Sequence, residues 1–247
     1  MNLISLNVEG ARHWQTVTSF LRREHAHVIA LQEAHPDYVH FLETLGYQTY
    51  FSPSSLMEQN GIEFAQGLLL ASLYDFEPRT LYYHKPTDTL QPEVVDPKTG
   101  RSSIWRQLLV AQFTTNGGIF VIATTHFTWS PDGHPNDIQR TDLGQMLQTT
   151  KTLPPHLLCG DFNIPRLHNE LYLQLANVYT DNIPPQYRSS LDRTLHRAGN
   201  DPERAIVFDE YMVDYLFSQP AYNVTDVRLE FGVSDHAAVI GEVAQAL

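Results

Sequence analysis

The 247-residue chain carries a formal net charge of -12 at pH 7 and is 42% hydrophobic, which is enough for one large buried core. This acidic balance argues against non-specific binding to nucleic acid through many phosphate contacts, although it allows a local basic patch. No apolar stretch approaches the roughly 20 residues of a transmembrane helix, and the single cysteine, Cys159, excludes an internal disulfide and fits a reducing compartment.

The predicted elements alternate between strands and helices at first and are mostly strands later. Residues 2–7 form a predicted strand, and no basic segment followed by an apolar one precedes it, so we expect a cytoplasmic protein unless a leader has been removed. Apolar residues at helical spacing predict helices over residues 12–24, around residues 38–45 and over residues 136–150. No repeat or linker divides the chain, and a single domain over residues 1–247 is expected.

Four short apolar runs predict strands that are covered on both faces, because they are rich in branched residues. They occupy residues 28–31, 68–71, 119–123 and 157–159. Helices that cover stacked sheets of such strands make a layered α/β sandwich, which is the predicted fold class.

Polar side chains follow several of these strands at their carboxyl ends. In α/β proteins the carboxyl ends of the core strands are where sites are built. The polar residues in these positions are Asn7, Glu33, His126, Asp161 and Asn163. The sequence therefore predicts a site at one edge of the stacked sheets.

Four acidic residues, Glu33, Asp161, Asp214 and Asp235, sit beside apolar residues and are expected near the interior. A single acid more often caps a helix or forms an ion pair, but the Gly-Asp-Phe-Asn and Ser-Asp-His contexts favour a site. Two such charges about 4 Å apart repel by about 4 kcal/mol at an effective dielectric of about 20. Oxygen ligands suit Mg²⁺ or Mn²⁺, whereas zinc is less suited because no cysteine or histidine cluster has ligand spacing.

Two histidines are candidates for proton transfer. His126 closes an apolar strand, and His236 directly follows Asp235. An imidazole titrates near neutrality and can take a proton from water. Asp214 is a candidate to orient His236, as the acid orients the base of a catalytic triad.

Six short motifs connect these residues, and each is weak alone. They are SLNVEG (residues 5–10), LQEA (31–34), TTHF (124–127), GDFN (160–163), VDYLF (213–217) and SDHAAV (234–239). In this order and spacing the series resembles the endonuclease/exonuclease/phosphatase superfamily, which includes pancreatic deoxyribonuclease, AP endonucleases, neutral sphingomyelinases and inositol polyphosphate phosphatases. The resemblance covers nearly the whole chain.

The resemblance implies a four-layer αββα sandwich, in which helices cover two stacked mixed β-sheets. It also implies a Mg²⁺ ion, for which Mn²⁺ could substitute, held mainly by Glu33 with Asn7 and Asp235 nearby. Arg106 lies where deoxyribonuclease-like members carry a phosphate-binding arginine.

The same resemblance implies roles at the scissile phosphate. Asp161 and Asn163 face it, His126 and His236 flank it, and Asp214 pairs with His236. Asn163 and His126 then donate hydrogen bonds to phosphate oxygens as charge builds up. Two residues are candidates for the base that takes the proton of the attacking water. They are His236 and Asp161, and the sequence leaves both assignments open.

The branch of the superfamily is narrowed by two positions. AP endonucleases carry a tyrosine in place of His126, and inositol polyphosphate phosphatases carry Trp-Cys-Asp-Arg around Asp214, where this chain has Met-Val-Asp-Tyr. We therefore expect a Mg²⁺-dependent phosphodiester hydrolase, a nuclease or phosphodiesterase, acting on nucleic acid or a small phosphodiester. The alternative is a phosphomonoesterase acting on a small phosphorylated molecule or lipid headgroup, and a non-catalytic binding module is a distant third.

Three segments are expected to set specificity. Residues 52–66 are polar and predict a loop, and residues 84–103 hold three prolines and predict an irregular insertion. Residues 181–204 are basic and partly aromatic, and they either meet substrate phosphates or pair with the many acids of the chain. The arginines of this last segment are Arg188, Arg193, Arg197 and Arg204.

Overall fold

Two six-stranded mixed sheets pack face to face in the computed structural model, which describes residues 1–59, 61–115, 117–202 and 205–246. The strands are β1 (Asn2–Gly10), β2 (Val28–Ala34), β3 (Gln48–Gln59), β4 (Ile62–Ser72), β5 (Phe76–His84), β6 (Arg106–Thr115), β7 (Gly118–His126), β8 (Leu157–Asp161), β9 (Thr180–Asp181), β10 (Asp214–Ser218), β11 (Tyr222–Glu230) and β12 (Ala238–Gln245). The helices are α1 (Trp14–Glu24), α2 (Asp37–Thr44), α3 (Asp137–Thr150), α4 (Tyr172–Ala176) and α5 (Ala205–Glu210).

The strand order is β11-β12-β1-β2-β4-β3 in the first sheet and β5-β6-β7-β8-β10-β9 in the second. In each sheet one central pair is parallel, β1 with β2 and β7 with β8, and the other neighbouring strands pair antiparallel. The large core fills the space between the sheets, and it includes Leu3 and Val28 from the first sheet and Leu108 and Leu158 from the second.

Helices cover the outer faces of both sheets. Alternate residues of β1, such as Ile4 and Leu6, point away from the inter-sheet core and pack with Phe20 of α1 and Phe41 of α2. On the other side, α3 packs against β5 and buries Leu143. The predicted four-layer αββα sandwich is confirmed. Among the described residues, no helix has the length and apolar character needed to cross a membrane.

The predicted helices are confirmed, with ends shifted by one or two residues. Helix α3 begins at Asp137 because Asn136 caps it: the Asn136 side chain accepts a hydrogen bond from the Gln139 N–H at 2.9 Å. The predicted strands are also present, and those that end in site residues are longer than their apolar runs. β8, for example, extends beyond the run 157–159 to Asp161.

The prediction of a loop over residues 52–66 is wrong. Strands β3 and β4 form a long hairpin there, with pairs running from Gln48–Ser72 to Gln59–Ile62. The tip is exposed, and Ile62 is 69% accessible, so this two-stranded ribbon needs no apolar pattern to form. Asn60 lies outside the described residues. His84 is the last residue of β5, and residues 85–103 contain no strand or helix, so the irregular insertion predicted for 84–103 is confirmed except at its first residue.

Candidate active site

Strand alternation places polar residues of β1 between the two sheets. Leu3 faces the inter-sheet core, so Ser5 and Asn7 face the same way. Gln32 of β2 joins them, because its Nε2 donates to Ser5 Oγ at 3.2 Å and to Thr124 Oγ1 of the opposite sheet at 2.9 Å. At this end of the sheets the space between them is therefore lined by polar side chains instead of apolar ones, and Asn7 of β1 lies there.

Glu33 reaches the same region through a break in the alternation of β2. Its φ of 51° lies in the left-handed region, and the pairing of β2 with β4 shifts register between Leu31 and Ala34. The carboxylate then lies beside Asn7, with 3.1 Å between Asn7 Nδ2 and Glu33 Oε1. A non-glycine residue in this conformation carries a conformational cost of about 1–3 kcal/mol, which the surrounding structure offsets.

The second sheet contributes three side chains in a row. The parallel register pairs His126 of β7 with Asp161 of β8, and the antiparallel register pairs Asp161 with Asp214 of β10. Directly paired residues on neighbouring strands present their side chains on the same face of the sheet, within about 5 Å of each other. The sheet itself therefore assembles His126, Asp161 and Asp214.

The Asp161 carboxylate is at the centre of the candidate site. Its Oδ2 lies 3.1 Å from Asn7 Nδ2, 3.6 Å from His126 Nε2 and 3.9 Å from His236 Nε2. His126 Nε2 also lies 3.7 Å from Glu33 Oε1. Asn7 thus donates to both Glu33 and Asp161, which links the two sheets across the site.

His236 is held by a buried hydrogen-bonded chain. Its Nδ1 lies 2.7 Å from Asp214 Oδ2, and the same oxygen accepts from Ser190 Oγ at 2.6 Å. Ser190 is fixed in turn, since its carbonyl accepts from the Ala237 N–H at 2.7 Å. Ser190 carries no sequence signal of this role, because it lies in a loop with no motif around it.

Asn163 follows Asp161 in a left-handed conformation, with a φ of 51°. Its backbone N–H donates to Asp161 Oδ1 at 2.9 Å, and its Nδ2 donates to the Phe127 carbonyl at 3.1 Å. One Nδ2 hydrogen remains for a ligand. Gln139 of α3 supports this turn by donating to the Asn163 carbonyl at 3.1 Å.

Asp235 lies on the Glu9 side of the site. One carboxylate oxygen of Asp235, one of Glu9 and a ring nitrogen of His13 lie within 4.8 Å of one another. Glu9 lies in the SLNVEG motif, so the sequence could have indicated it as a site residue. Only Asn7 of that motif was predicted to belong to the site. Gln66, also missed, donates to Glu33 Oε2 at 3.3 Å from the hairpin that was predicted as a loop.

The pKa values at the site are strongly perturbed. Burial raises the pKa of Glu33 to about 7 and that of Asp161 to about 6. Burial lowers the pKa of His236, but Asp214 and Asp161 outweigh burial and raise it well above its ordinary value. Burial, with Arg106 and His236 nearby, holds the pKa of His126 well below its ordinary value. The surroundings therefore favour the charged imidazole at His236 and the neutral imidazole at His126.

The donor set fits a hard divalent cation. Glu33, Asp161 and Asp235 present carboxylate oxygens around one end of the sheets, and the charge of Asp235 helps to raise the pKa of Glu33. Such repulsion between carboxylates is relieved by a cation, and oxygen donors suit Mg²⁺ or Mn²⁺. The side-chain oxygen Oδ1 of Asn7 accepts from the Glu9 N–H at 3.1 Å, so in this arrangement Asn7 orients the carboxylates through its Nδ2.

Arg106 lies behind His126. Its Nη1 donates to the His126 carbonyl at 3.1 Å, and its side chain is almost completely buried. The nine residues predicted for the site therefore all lie at this end of the sandwich, with Arg106 contacting the backbone of His126.

The arginines of the segment 181–204 pair with acids of the protein. Arg188 contacts Glu210, Arg193 contacts Asp209 at 3.5 Å, and Arg197 contacts Glu9. This is the second of the two possibilities that the sequence left open. Arg204 lies outside the described residues.

The protein combines a layered sandwich with carboxylates and histidines between its two sheets. This combination is typical of the phosphoesterases that use this fold. Residues 4–236 match the model of the Endonuclease/Exonuclease/phosphatase family, and the chain belongs to this family. Its members are hydrolytic, metal-dependent phosphoesterases that include nucleases and phosphatases. The comparison with curated proteins found no match.

Solved structures share the fold at low sequence identity. A Bacteroides vulgatus endonuclease/exonuclease/phosphatase has a TM-score of 0.70 and 17% identity, with 99% of this chain and 98% of that chain covered. The human Nocturnin catalytic domain with bound sulfate anion has a TM-score of 0.68 and 17% identity, with 100% and 93% covered. D. rerio TDP2 complexed with single strand DNA product has a TM-score of 0.66 and 18% identity, with 98% of each chain covered.

Proposed function

We propose that this protein is a Mg²⁺-dependent phosphodiester hydrolase, a nuclease or phosphodiesterase that uses water as the nucleophile. The observation that carries the proposal is the position of Asp161, whose Oδ2 lies within 4 Å of Asn7, His126 and His236. A carboxylate surrounded by donors and by two imidazoles is the arrangement that acid–base attack on a phosphate ester needs.

The metal would be held by the carboxylates of Glu33 and Asp235, while Asn7 orients Glu33. When bound, a divalent cation supplies charge neutralisation at a phosphate oxygen and at the carboxylates. Mn²⁺ would serve in place of Mg²⁺, because both accept oxygen ligands.

Asp161 and His236 would manage the proton of the attacking water. Asp161 is the better acceptor, because burial raises the pKa of its carboxylate to about 6 and so makes it more basic, whereas the neighbouring Asp214 and Asp161 favour the protonated form of His236. The water oxygen bonds to phosphorus as its proton passes to Asp161, and the bond from phosphorus to the leaving oxygen breaks. The imidazolium of His236, fixed by Asp214, donates to the phosphate as negative charge develops.

His126 and Asn163 would hold the phosphate, and Arg106 would support them from behind His126. The free Nδ2 hydrogen of Asn163 and the ring of His126 are available as donors at the side of the site that faces Asp161. Arg106 adds a fixed positive charge behind His126. Support from related folds is limited to what they bind: TDP2 holds a single strand DNA product, and Nocturnin holds a sulfate anion.

Two chromogenic substrates test the proposal. With Mg²⁺ present, turnover of bis(4-nitrophenyl) phosphate should exceed that of 4-nitrophenyl phosphate, and Asp161→Asn should abolish it. The matched control is Asp88→Asn, an exposed aspartate that should leave turnover unchanged. Preference for the monoester would favour the phosphomonoesterase alternative, and no turnover of either compound or of DNA would favour a non-catalytic binding module.

A further inference from the structure

A cavity of about 400 Å³ lies beside the candidate site, between the end of β5, the loop 100–102, the start of β6 and helix α3. Arg106 joins the two regions, because it lines the cavity and its Nη1 donates to the His126 carbonyl at 3.1 Å. Thr128, two residues beyond His126, lines the cavity as well. The volume is in the range of small-ligand sites in proteins.

The buried Arg106 guanidinium has no ion-pair partner among the described residues. Its side chain belongs to a residue that is 3% exposed, and within the described part of the chain it forms no ion pair and its Nε has no hydrogen-bond partner. A buried charge without a partner is costly, and a guanidinium offers paired N–H donors in the geometry that a phosphate accepts. An anionic group in the cavity would supply such a partner.

A second donor in the cavity is set by a histidine–aspartate pair. His84 Nδ1 lies 2.8 Å from Asp142 Oδ1, and Thr128 Oγ1 donates to Asp142 Oδ2 at 2.5 Å. Both oxygens of the buried Asp142 carboxylate are therefore engaged, and His84 keeps Nε2 for a ligand. The contact with Asp142 fixes the ring through Nδ1, so Nε2 is the ring nitrogen left to meet an anion in the cavity that His84 lines.

The remaining charges on the cavity are at its rim. Arg101 is exposed there and adds a second guanidinium, while Asp137, in the first turn of α3, is exposed and screened by solvent. The interior groups on the cavity are Arg106, His84 and the Asp142 carboxylate, and both oxygens of that carboxylate are already engaged by His84 and Thr128. The groups left to contact a ligand are therefore the Arg106 guanidinium, His84 Nε2 and, at the rim, Arg101, and this set favours an anion over a cation.

We propose that this cavity binds a second, terminal phosphate group of the substrate, so that the substrates are small molecules carrying a phosphodiester and a phosphomonoester. The inference rests on the proposed function, since the cavity adjoins the site through Arg106 and His126. A terminal phosphate carries close to two negative charges at neutral pH and three acceptor oxygens, which match two guanidinium groups and an imidazole.

The test compares thymidine 5′-(4-nitrophenyl phosphate) with the same compound carrying a 3′-phosphate. The native protein should show a kcat/KM about tenfold higher for the 3′-phosphorylated compound, the value of one charge-assisted hydrogen bond. His84→Gln and, separately, Arg101→Gln should remove this preference without changing kcat/KM for the compound that lacks the second phosphate. His40→Gln, an exposed histidine on α2, should keep the preference.

Three results would overturn the inference. Equal kcat/KM for both compounds in the native protein would do so while leaving the proposed function intact. A preference that survives in both His84→Gln and Arg101→Gln would place the second phosphate elsewhere. A preference of the same size for a 3′-(methyl phosphate), a diester, would indicate an internal phosphate of a nucleic-acid chain instead of a terminal one.

A binding measurement separates the cavity from the chemistry. Calorimetric titration with inorganic phosphate should show binding to the native protein and at least about tenfold weaker binding to His84→Gln, with circular dichroism used to check that the variant is folded. If neither nitrophenyl compound is hydrolysed but this difference in phosphate binding is seen, the proposed function fails and the cavity assignment stands. Equal binding by the two proteins would overturn the cavity assignment.

Discussion

His236 Nδ1 lies 2.7 Å from Asp214 Oδ2, and both residues are buried between the sheets. The carboxylate fixes the ring orientation and keeps the imidazole charged. Groups that act as one catalytic unit do not contribute additively when they are removed. His236→Ala and Asp214→Ala should each lower kcat/KM by roughly 100-fold or more.

The double variant distinguishes a unit from two independent groups. Its kcat/KM on a chromogenic diester should be about the same as that of the worse single variant. Losses that multiply would show that the two residues act separately. Circular dichroism on all three variants guards against a loss caused by unfolding, which is a concern because Asp214 also accepts a hydrogen bond from Ser190.

Glu33 should be required for divalent-cation binding. Glu33→Gln keeps the size of the side chain and can keep a hydrogen bond to Asn7, but it removes the charged oxygen donor that the cation needs. Calorimetric titration with Mg²⁺ should show no binding to this variant. Glu63→Gln is the matched control, since Glu63 is exposed on the neighbouring hairpin, and Mg²⁺ binding by Glu33→Gln at native affinity would contradict the assignment.

Gly160 should be irreplaceable within the GDFN motif. Its φ is 134°, and an added Cβ would lie 2.0 Å from the Thr125 carbonyl oxygen of the neighbouring strand. Gly160→Ala should therefore destabilise the protein by about 2 kcal/mol or more in urea unfolding, because the backbone of β7 or β8 must move.

A second glycine provides the opposite expectation. Gly144 is exposed in α3 and has nothing within 4 Å of its ideal Cβ position, so Gly144→Ala should stabilise the protein by about 0.5–1 kcal/mol. Equal destabilisation by the two alanine variants would show that the close contact at Gly160 is not the cause.

Strand-end residues were predictable from the sequence because the information is local. An apolar run defines the strand, and the polar residue after it must lie at the strand end, as His126 and Asp161 do. The positions of these strands relative to one another came from the family resemblance. The register that pairs Asp161 with both His126 and Asp214 is a product of the whole sheet and has no local signal.

Contacts between distant segments were not predictable in the same way. Arg197 contacts Glu9 across 188 positions of sequence, and neither residue carries a sign of this pairing in its own neighbourhood. The hairpin around residues 52–66 was missed for a different reason: its edge strand is half exposed, so it needs few apolar residues. The resulting error hid Gln66, which contacts Glu33.

The arginines of the segment 181–204 should contribute little to nucleic-acid binding. Arg188, Arg193 and Arg197 each contact an acidic side chain, which offsets their charge toward a polyanion. The salt slope is the slope of the logarithm of the binding constant against the logarithm of the salt concentration. It becomes shallower by about 0.7 to 0.9 for each phosphate contact that a protein loses. Replacing all three arginines with glutamine should leave the salt slope of single-stranded DNA binding within about 0.7 of the native value.

A change of about 2 or more in that slope would show that the three arginines leave their acidic partners to bind phosphates. Fluorescence anisotropy of a labelled oligonucleotide over a range of salt concentrations measures it directly. Arg79→Gln, on the edge strand β5, is a control for the loss of positive charge alone.

His156 should make the protein sensitive to acid. The residue is fully buried, and its Nδ1 and Nε2 lie 2.9 Å from the Pro154 carbonyl and from the Tyr179 hydroxyl. The carbonyl can only accept, so Nδ1 carries the proton of a neutral ring and Nε2 accepts from Tyr179. Burial lowers the pKa of His156 below its ordinary value.

The sign of the effect follows from proton binding. Below about pH 6.5 the unfolded chain binds a proton at His156 that the folded protein does not, so the free energy of unfolding falls as the pH falls, by at most about 1.4 kcal/mol per pH unit for this group. Urea unfolding of His156→Gln between pH 7 and pH 5 should show a shallower loss than the native protein. His40→Gln, on the exposed face of α2, should follow the native curve, and a His156→Gln curve parallel to the native one would show that another group causes the acid sensitivity.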